Sequence, residues 1–500
     1  YEIGVRLVGS EMCIRDRIMK KMNLLVMSLV SAAALSFTSC SSNDELDGNK
    51  ADQAKVDQFY MTLTIQTPKS NGTRTSLKND FAATAAESDV TSGTFYLVDA
   101  NNKIVFTHTI TKEEWAEKKI PTQGTPGTTT LQVPVKDVTA GTKYSVYFLA
   151  NATSESPLTE VYTSDLDNKF AKAYSTANNF AMFNENDADV KGNSHTVVFT
   201  SDNKDANSAA KVSSTINIER LTARIDEPKS AATNIQPYAK DATASDEEKK
   251  ANADAIKAVK GVTLTKYAIS NVANKTNVMQ QWKDATTLSI PTDITYFQPT
   301  TEFGTKTLLQ NYNYFNAVTT DKSHKDYVFE NNSSEAATSM YFEYTVELSD
   351  DYKTNADFED GTFYRYNKVI YSRIQDIIDA FKDQKAIFDG KDAATVKAEL
   401  KAAKEDTEDP EAKLDEFRKK YDIEVFNNGK TYYVQKIKDQ YLNAENTIQR
   451  NSIYLLNVKN IFNVGAQVPN GGPDDRTLYY LDVEVSVNPW VLNSYDVELK

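Results

Sequence analysis

The stretch Leu481–Lys500, "LDVEVSVNPWVLNSYDVELK", alternates apolar and polar residues on both sides of a proline. Alternation with a period of two is the pattern of a half-buried β-strand. The second run has four apolar residues of one parity: Val491, Tyr495, Val497 and Leu499. Pro489 has no N–H group to donate to a neighbouring strand. The pattern therefore predicts two strands, a resident one that ends at Val487 and a separate one that begins near Trp490.

A second stretch of the same design lies near the other end of the chain. Four apolar residues alternate with polar ones there: Phe59, Met61, Leu63 and Ile65. Pro68 ends this pattern, and the polar loop "KSNGTRTSLKND" that follows is of the kind a protease can enter. Short strand candidates at the spacing of a β-sandwich come next. They are Gly93–Val98, Ile104–Ile110, Thr129–Val135, Tyr144–Ala150, Thr196–Thr200 and Ile216–Ile225.

Two composition shifts interrupt the strand pattern in the second half of the chain. Residues 227–258 are rich in Ala, Lys, Asp and Glu, which predicts a linker or an exposed helix. Residues 372–420 carry apolar residues at helical spacing among many charges, which predicts an insertion of two or three helices. Between and after these shifts, strands are predicted again. The stretch "IEVFNNGKTYYV" (423–434) predicts a hairpin that turns at Asn428-Gly429.

The N-terminal segment predicts a targeting signal rather than folded structure. Residues 1–18, Cys13 included, lie upstream of a credible start and are set aside as non-native. Residues 19–39 hold a basic start and a short apolar run. They end in small residues before Cys40, which resembles the lipidation box of a bacterial lipoprotein. The alternative is an ordinary secretory signal with an incidental Cys. The acidic tether after Cys40 resembles the surface-export signal of Bacteroidetes lipoproteins.

Composition excludes several kinds of function. A net charge of -14 argues against a nucleic-acid partner, because phosphate binding needs a basic face. After cleavage of the signal only Cys40 remains, so a disulfide framework or a Cys-based metal site is not expected. The three histidines are His108, His195 and His324, and no ligand spacing joins them to acids. No nucleophile motif is present, so we expect no catalytic residues, no metal and no cofactor.

Three stretches together resemble a known family. "INIERLTARI" (Ile216–Ile225) closes the first half, and "RNSIYLLNVKNI" (Arg450–Ile461) with the terminal stretch closes the second. With the lipoprotein signal, they resemble the major fimbrillins of Bacteroidales, of the short-fimbria type. The resemblance implies a mainly β fold with two transthyretin-like antiparallel β-sandwich domains in tandem. It places the pro-segment at 40–74 and the domains at 75–226 and 227–500, with the helical insertion in the second.

In that family an arginine-specific protease cuts the loop after the first strand. The resemblance therefore implies processing between Arg74 and Thr75. The alternative for Arg74 is an ordinary solvated loop residue, and Lys69 or Lys78 would be the choice of a Lys-directed protease. Cleavage would free the strand that carries Phe59, Met61, Leu63 and Ile65. The C-terminal strand of another subunit, about 490–500, would then fill its place, with Pro489 and Trp490 as the hinge.

The resemblance implies a polymerising stalk subunit of a surface fimbria that is not an enzyme. Its expected partners are other copies of itself, accessory anchor and tip subunits, the protease, and the outer membrane through the lipid on the precursor. An alternative from another class is a fimbrial tip adhesin or a glycan-binding surface lipoprotein, and a surface hydrolase is a third. Residues 491–499 have an alternative as well, an ordinary strand of their own sandwich.

Overall fold

The computed structural model describes twelve segments of the chain. They are residues 58–68, 84–101, 103–120, 127–151, 175–186, 194–239, 243–284, 287–297, 315–383, 387–439, 446–469 and 481–489. Several residues singled out above lie outside these segments: Cys40, Arg74, Thr75, Trp490, Val491, Tyr495, Val497 and Leu499. The predictions made for them remain predictions.

Twelve strands and one helix form the first half of the described chain. The strands are β1 (Phe59–Gln66), β2 (Gly93–Val98), β3 (Ile104–Ile110), β4 (Lys119–Ile120), β5 (Thr128–Val135), β6 (Lys143–Ala150), β7 (Ser175–Thr176), β8 (Asn179–Phe180), β9 (Met182–Asn184), β10 (Thr196–Val198), β11 (Ala210–Lys211) and β12 (Ile216–Arg220). The helix is α1 (Lys112–Lys118), which Thr111 caps by accepting a hydrogen bond from the Glu114 N–H.

Ten of these strands form two facing layers that share one core, and β7 and β8 pair with each other apart from them. One layer has the order β4-β5-β1 with β11 and β12 on the far edge of β1, and the other contains β3-β2-β6-β9 with β10 beside β6. Strand β12 belongs to both layers, because its first two residues pair with β1 and its last three pair with β9. Apolar side chains from both layers meet in one buried cluster. This arrangement is a β-sandwich whose layers are joined through β12.

In the described segments of the second half there are fourteen further strands and five helices. The strands are β13 (Ala223–Asp226), β14 (Lys229–Ser230), β15 (Val259–Ser270), β16 (Val272–Ala273), β17 (Tyr296–Phe297), β18 (Asn316–Ala317), β19 (Lys325–Val328), β20 (Ser339–Leu348), β21 (Phe363–Tyr366), β22 (Val369–Tyr371), β23 (Glu424–Phe426), β24 (Lys430–Lys436), β25 (Ser452–Ile461) and β26 (Leu481–Pro489). The helices are α2 (Asp246–Ala258), α3 (Asp350–Thr354), α4 (Ile374–Ala380), α5 (Ala393–Lys404) and α6 (Pro410–Tyr421).

The second half has its own pair of sheets around a second core. In one sheet β25 pairs with β26 on one edge and with β13 and β14 on the other, and β19 follows beside β13. The other sheet has the order β18-β15-β20-β24. Buried side chains of both sheets form one cluster, to which helix α2 adds Ala255 and Ala258. The mainly β fold is confirmed, whereas a transthyretin-like connectivity stays a prediction.

Helices α4, α5 and α6 form the predicted insertion. They pack against the small sheet β22-β21-β23 and share a separate apolar cluster that includes Val396, Leu400 and Leu414. Asp392 caps α5 by accepting a hydrogen bond from the Thr395 N–H, and Pro410 occupies the first turn of α6. Proline is favoured there because the first turn has no partner for its N–H. The three helices lie at 374–421, in the stretch where the sequence predicts an insertion of two or three helices.

Three details differ from the sequence-based expectations. The stretch Ile216–Ile225 is not one strand, because the chain leaves the first sandwich at Leu221-Thr222 and β13 already pairs with β19 and β25 of the second. The junction therefore lies a few residues before the predicted boundary at 226. Residues 227–258 are not all linker or helix, since β14 adds to the sheet beside β25 and, among the described residues of this stretch, the helix covers 246–258.

The third difference concerns the predicted hairpin at Asn428-Gly429. The turn is present, with both residues in the left-handed region at φ 54 and φ 69. Its two strands separate, however, because β23 pairs with β21 while β24 pairs with β20. A Cβ at Gly429 would stand 2.9 Å from the Val346 carbonyl oxygen, so the turn is packed against β20. It connects two sheets rather than closing a hairpin.

The core of the insertion can be tested with a pair of substitutions on α5. Leu400 is fully buried in that core, whereas the side chain of Lys401 is 62% exposed. We expect Leu400→Ala to lower the free energy of unfolding by about 2–5 kcal/mol, because it leaves a cavity among α4, α5 and α6. Lys401→Ala should change it by less than about 0.5 kcal/mol. Urea unfolding followed by circular dichroism measures both, and equal effects would contradict the described packing.

Candidate functional site: the first strand and the domain junction

Strand β1 lies inside its sheet rather than at an edge. All eight of its residues pair antiparallel with β5, from Phe59 opposite Val135 to Gln66 opposite Thr128. Its other edge pairs in parallel with β11 and with the start of β12. We call the channel between β5 and β11/β12 the first-strand groove. Without β1, both walls of this groove would present unpaired N–H and C=O groups.

The inward face of β1 carries the four side chains that the sequence pattern singled out. Phe59, Met61, Leu63 and Ile65 are 3%, 0%, 0% and 1% exposed. The Phe59 ring lies 5.6 Å from the Phe199 ring, and the Lys204 ammonium lies 5.7 Å from the Phe59 ring centre. Burial of a large apolar side chain stabilises by roughly 1.5–3 kcal/mol, so these four contribute on the order of 6–12 kcal/mol.

The outward face of β1 is half-buried and polar. Thr64 and Thr130 share a hydrogen bond of 2.9 Å between their hydroxyl groups across the β1–β5 pair. Opposite Thr62 stand Gln132 on β5 and the exposed Lys211 on β11. A strand in the first-strand groove is therefore apolar on one face and in contact with polar side chains on the other.

The resident C-terminal strand is described as far as the predicted hinge. Strand β26 runs antiparallel to β25, with Val487 opposite Tyr454 and Pro489 opposite Ser452. The strand thus continues two residues beyond the predicted end at Val487 and includes Pro489. Trp490 and the residues predicted to form the separate strand lie outside the described residues.

A buried acid, Glu87, joins the two halves close to the start of the first sandwich. Its carboxylate lies 3.0 Å from the Arg224 guanidinium and 3.2 Å from the Lys325 ammonium, and the Tyr327 hydroxyl donates to it at 3.1 Å. Burial alone would raise the pKa of Glu87. Arg224, the Thr84 N–H and Lys325 outweigh burial and lower this pKa from 4.5 to about 2. Its partners lie on β13 and β19, so Glu87 ties a loop of the first half to the second.

Arg220 completes this cluster from the end of β12. Its guanidinium donates to the Glu87 carbonyl at 2.7 Å, to the Ser88 hydroxyl at 2.6 Å and to the Asn451 side-chain oxygen at 2.8 Å. Burial lowers the pKa of Arg220 to about 9, against the opposing effect of Glu87. The guanidinium therefore stays charged at neutral pH. We call Glu87, Arg220, Arg224, Lys325 and Tyr327 the Glu87 cluster.

A third buried arginine, Arg450, also contacts both halves at the junction. Arg450 is fully buried, and its guanidinium donates to Glu330 at 2.8 Å and to the Val278 carbonyl at 2.9 Å. It also lies 3.8 Å from Glu219 on β12. An apolar cluster covers the area between the halves. Its members are Tyr96, Val98, Tyr147, Leu149, Ala181, Phe183 and Leu221 of the first half with Ala273, Val278 and Phe329 of the second.

Sequence reasoning did not identify these arginines as junction residues. They do lie in the stretches that carried the family resemblance, since Arg220 and Arg224 fall in "INIERLTARI" and Arg450 opens "RNSIYLLNVKNI". A signal was available: a charge within a strand pattern, next to buried apolar residues, needs a partner in the interior. The partners could not be read from the sequence, because Glu87 lies more than a hundred residues upstream of Arg220.

The described residues offer little for catalysis or metal binding. His108 stacks among aromatic rings on β3, His195 contacts the Ser214 hydroxyl at 2.8 Å, and His324 lies 3.3 Å from Asp326. Within these residues no group of three or more His, Cys, Asp or Glu side chains could hold a metal ion. A search of the same residues for a helix long and apolar enough to cross a membrane found none.

Comparison with known protein families finds a match in the C-terminal part of the chain. Residues 424–496 match the family model for the major fimbrial subunit protein type IV, fimbrillin, C-terminal. The resemblance to the fimbrillins is confirmed. The match begins at β23, spans β24, β25 and β26, and extends past Pro489. Residues 424–496 thus resemble the C-terminal part of a fimbrillin, which supports a fimbrial subunit with its place in a surface fimbrium.

Solved structures with some overall similarity come from Parabacteroides distasonis. Two are candidate cell adhesion proteins, at 11% and 12% identity with TM-scores of 0.44 and 0.38. A third is a fimbrial assembly protein, at 9% identity and a TM-score of 0.32. Each comparison covers 87% of this chain and 98%, 100% and 100% of the other chains, respectively. A search of curated protein sequences returns no match.

The Glu87 cluster predicts a pH-dependent contribution to stability. At neutral pH, Glu87→Gln should lower the free energy of unfolding by about 2–4 kcal/mol, because it removes the buried carboxylate that pairs with Arg224 and Lys325, although Arg224 keeps its contact with Asp226. Since the pKa of Glu87 in the fold is about 2, below its usual 4.5, the carboxylate stabilises the fold above about pH 4.5. This contribution is lost as the pH falls toward 2. The difference between wild type and variant should therefore shrink over that interval.

Urea unfolding at several pH values between 7 and 2.5 measures this difference. Glu117→Gln is the matched control, because Glu117 is an exposed residue of α1. It should change the free energy of unfolding by less than about 0.5 kcal/mol at neutral pH. A Glu87→Gln deficit that stays constant down to pH 2.5 would contradict the assignment of the effect to the carboxylate charge.

Proposed function

We propose that this fimbrillin is the polymerising stalk subunit of a surface fimbria, assembled by protease-triggered strand exchange. The precursor is lipidated at Cys40 and held at the outer membrane. An arginine-specific protease then cuts between Arg74 and Thr75 and frees β1. The C-terminal segment of another subunit, about 490–500, fills the first-strand groove, and repetition of this step makes a head-to-tail polymer. Anchor and tip subunits would complete the fimbria at its two ends.

The placement of β1 is the observation that carries this proposal. A strand inside a sheet, bonded on both edges and buried through four side chains, leaves a groove that favours another strand of like pattern. Its loss would remove on the order of 6–12 kcal/mol of apolar burial and expose two rows of backbone groups. The segment from Val491 offers Val, Tyr, Val and Leu at one parity, which is nearly the same pattern.

The position of Pro489 supports the proposal that the resident strand β26 and the segment after it have different roles. Strand β26 pairs with β25 up to this residue, so the resident strand has its place in the second sandwich. Because proline lacks an N–H, it interrupts ladder pairing at the point where the two predicted strands divide. In the proposal, the resident strand stays in its own subunit while the residues after Trp490 reach the neighbour.

Controlled cleavage of the purified full-length precursor tests the proposal. Treatment with an arginine-specific protease should give a ladder of SDS-resistant oligomers, because exchanged strands bury their apolar face in the neighbour. Deletion of Val491–Lys500 should abolish the ladder and leave a folded monomer. Arg74→Ala should remain uncut and monomeric. A wild-type protein that stays monomeric after verified cutting at Arg74 would contradict the proposal.

N-terminal sequencing of protein sheared from cells tests the processing site separately. The expected first residue is Thr75. A first residue of Ser70 or Asn79 would instead assign the cut to Lys69 or Lys78 and would contradict an arginine-specific protease. Arg74→Ala serves as the control, because it should retain the uncut precursor on the cell.

A further inference from the structure

The basic residues of the chain are divided between its interior and its surface. The sequence holds eleven arginines and forty-five lysines. Of the six arginines in the described segments, Arg220, Arg224, Arg418 and Arg450 are buried and the other two are half-buried. The described lysines show the reverse distribution, because most of them are exposed and Lys275 is the one buried exception. Lysine therefore carries the positive charge of the described surface.

This division matters for a chain that is processed by an arginine-specific protease, and its relevance rests on the processing proposed above. A protease prefers to cut exposed, irregular segments of chain, where the backbone can enter its cleft. A bond inside a strand or helix becomes accessible only when that element opens. Survival of the two sandwiches during processing therefore depends on where the remaining arginines lie.

Three of the buried arginines lie at the junction of the two halves. Arg220 ends β12, where that strand pairs with β9, and Arg224 lies in β13 between β19 and β25. Arg450 is fully buried and bound to Glu330 at 2.8 Å. The bonds that follow these residues become accessible only if the packed junction opens.

Two further arginines belong to the insertion and its small sheet. Arg365 lies in the middle strand, β21, and its guanidinium donates to Glu424 and to the Val464 carbonyl, both at 2.6 Å. Arg418 lies on α6 and donates to the Val425 carbonyl at 2.8 Å. Both backbones belong to regular structure, so a cut after either residue requires the strand or the helix to open first.

Arg373 is the most exposed of the six, with 41% of its side chain accessible. It directly precedes α4, and its guanidinium donates to Asp376 at 2.9 Å. The next residue, Ile374, is fully buried, and its N–H donates to the Asp357 carboxylate at 2.7 Å. That N–H belongs to the peptide bond a protease would cut. A cut after Arg373 therefore requires α4 to leave the core of the insertion.

We infer that the placement of arginine protects both sandwiches from the protease that frees β1. Bidentate pairing favours arginine over lysine in the interior. It does not explain why lysine carries the charge on the described surface, where either residue would serve. An arginine-specific protease does not cut after lysine, so this surface keeps its positive charge without offering a second site. The fold itself thus restricts processing to the loop after β1.

Digestion of a variant that keeps only the six described arginines after Cys40 tests this inference. Arg74→Ala and Arg476→Lys remove the other two, which lie outside the described residues. A synthetic peptide of residues 69–79, which contains Arg74 alone, gives the reference rate. In native buffer the protease should cut the variant after each of the six arginines at least a hundredfold more slowly than it cuts the peptide. After unfolding in urea, mass spectrometry should find cuts after all six.

A lysine-specific protease shows whether the fold alone gives this protection. It should cut the native chain after Lys136, which is exposed in the loop between β5 and β6. Lys136→Arg in the six-arginine variant should transfer that cut to the arginine-specific protease. Lys257→Arg is the matched control and should stay uncut, because Lys257 is exposed but lies within helix α2.

Several outcomes would overturn the inference and leave processing at Arg74 standing. They are native cutting after any of the six arginines that is slowed less than a hundredfold, resistance of Lys136 to the lysine-specific protease, resistance of Lys136→Arg to the arginine-specific protease, and cutting of Lys257→Arg. A folded wild-type precursor that is not cut at Arg74 would instead contradict the proposed function. The protection of the six bonds would then stand by itself.

Discussion

The buried Glu87 carboxylate is the interaction on which the arrangement of the two halves depends. It accepts charge-assisted hydrogen bonds from Arg224 and Lys325 of the second half. Arg220 donates hydrogen bonds to the Glu87 carbonyl and to the Ser88 hydroxyl. Removal of one partner from such a cluster would leave charges buried without compensation, and that is strongly unfavourable. The chain passes directly from β12 to β13 between Arg220 and Arg224, so the same charges that neutralise Glu87 also fix the point where one sandwich ends. The junction is thus a packed interface and not a flexible tether.

Sequence patterns predicted the strands well where one face of a sheet is core and the other is not. Strand β1 is the clearest case, since its alternation of Phe59, Met61, Leu63 and Ile65 matches the buried positions residue by residue. The helical insertion was found for a similar reason, because apolar residues at helical spacing stand out among charges. In both cases the local pattern and the final environment agree, so no distant partner needed to be known.

The patterns failed where distant parts of the chain decide the environment. Every residue of β2 is buried, because the second half covers its outer face, and alternation carries no information there. "INIERLTARI" reads as one strand, yet it is divided between two sandwiches at Leu221-Thr222. Asn428-Gly429 makes the predicted turn, but whether its strands pair with each other depends on β20 and β21. The buried Arg220 and Arg450 were missed for the same reason, because their partners Glu87 and Glu330 lie more than a hundred residues away in sequence.

The pairing of β1 with β12 has a consequence for how the chain folds. Ile65 lies beside Ile216, so about 150 residues must be in place before the parallel contact can form. Contacts between residues so far apart in sequence form late, because closing the intervening loop costs entropy before any contact is gained. Strand β1, the first of the described strands, is therefore among the last to obtain both of its neighbours. During synthesis the apolar face of β1 therefore has no finished sheet to enter until β12 has been made.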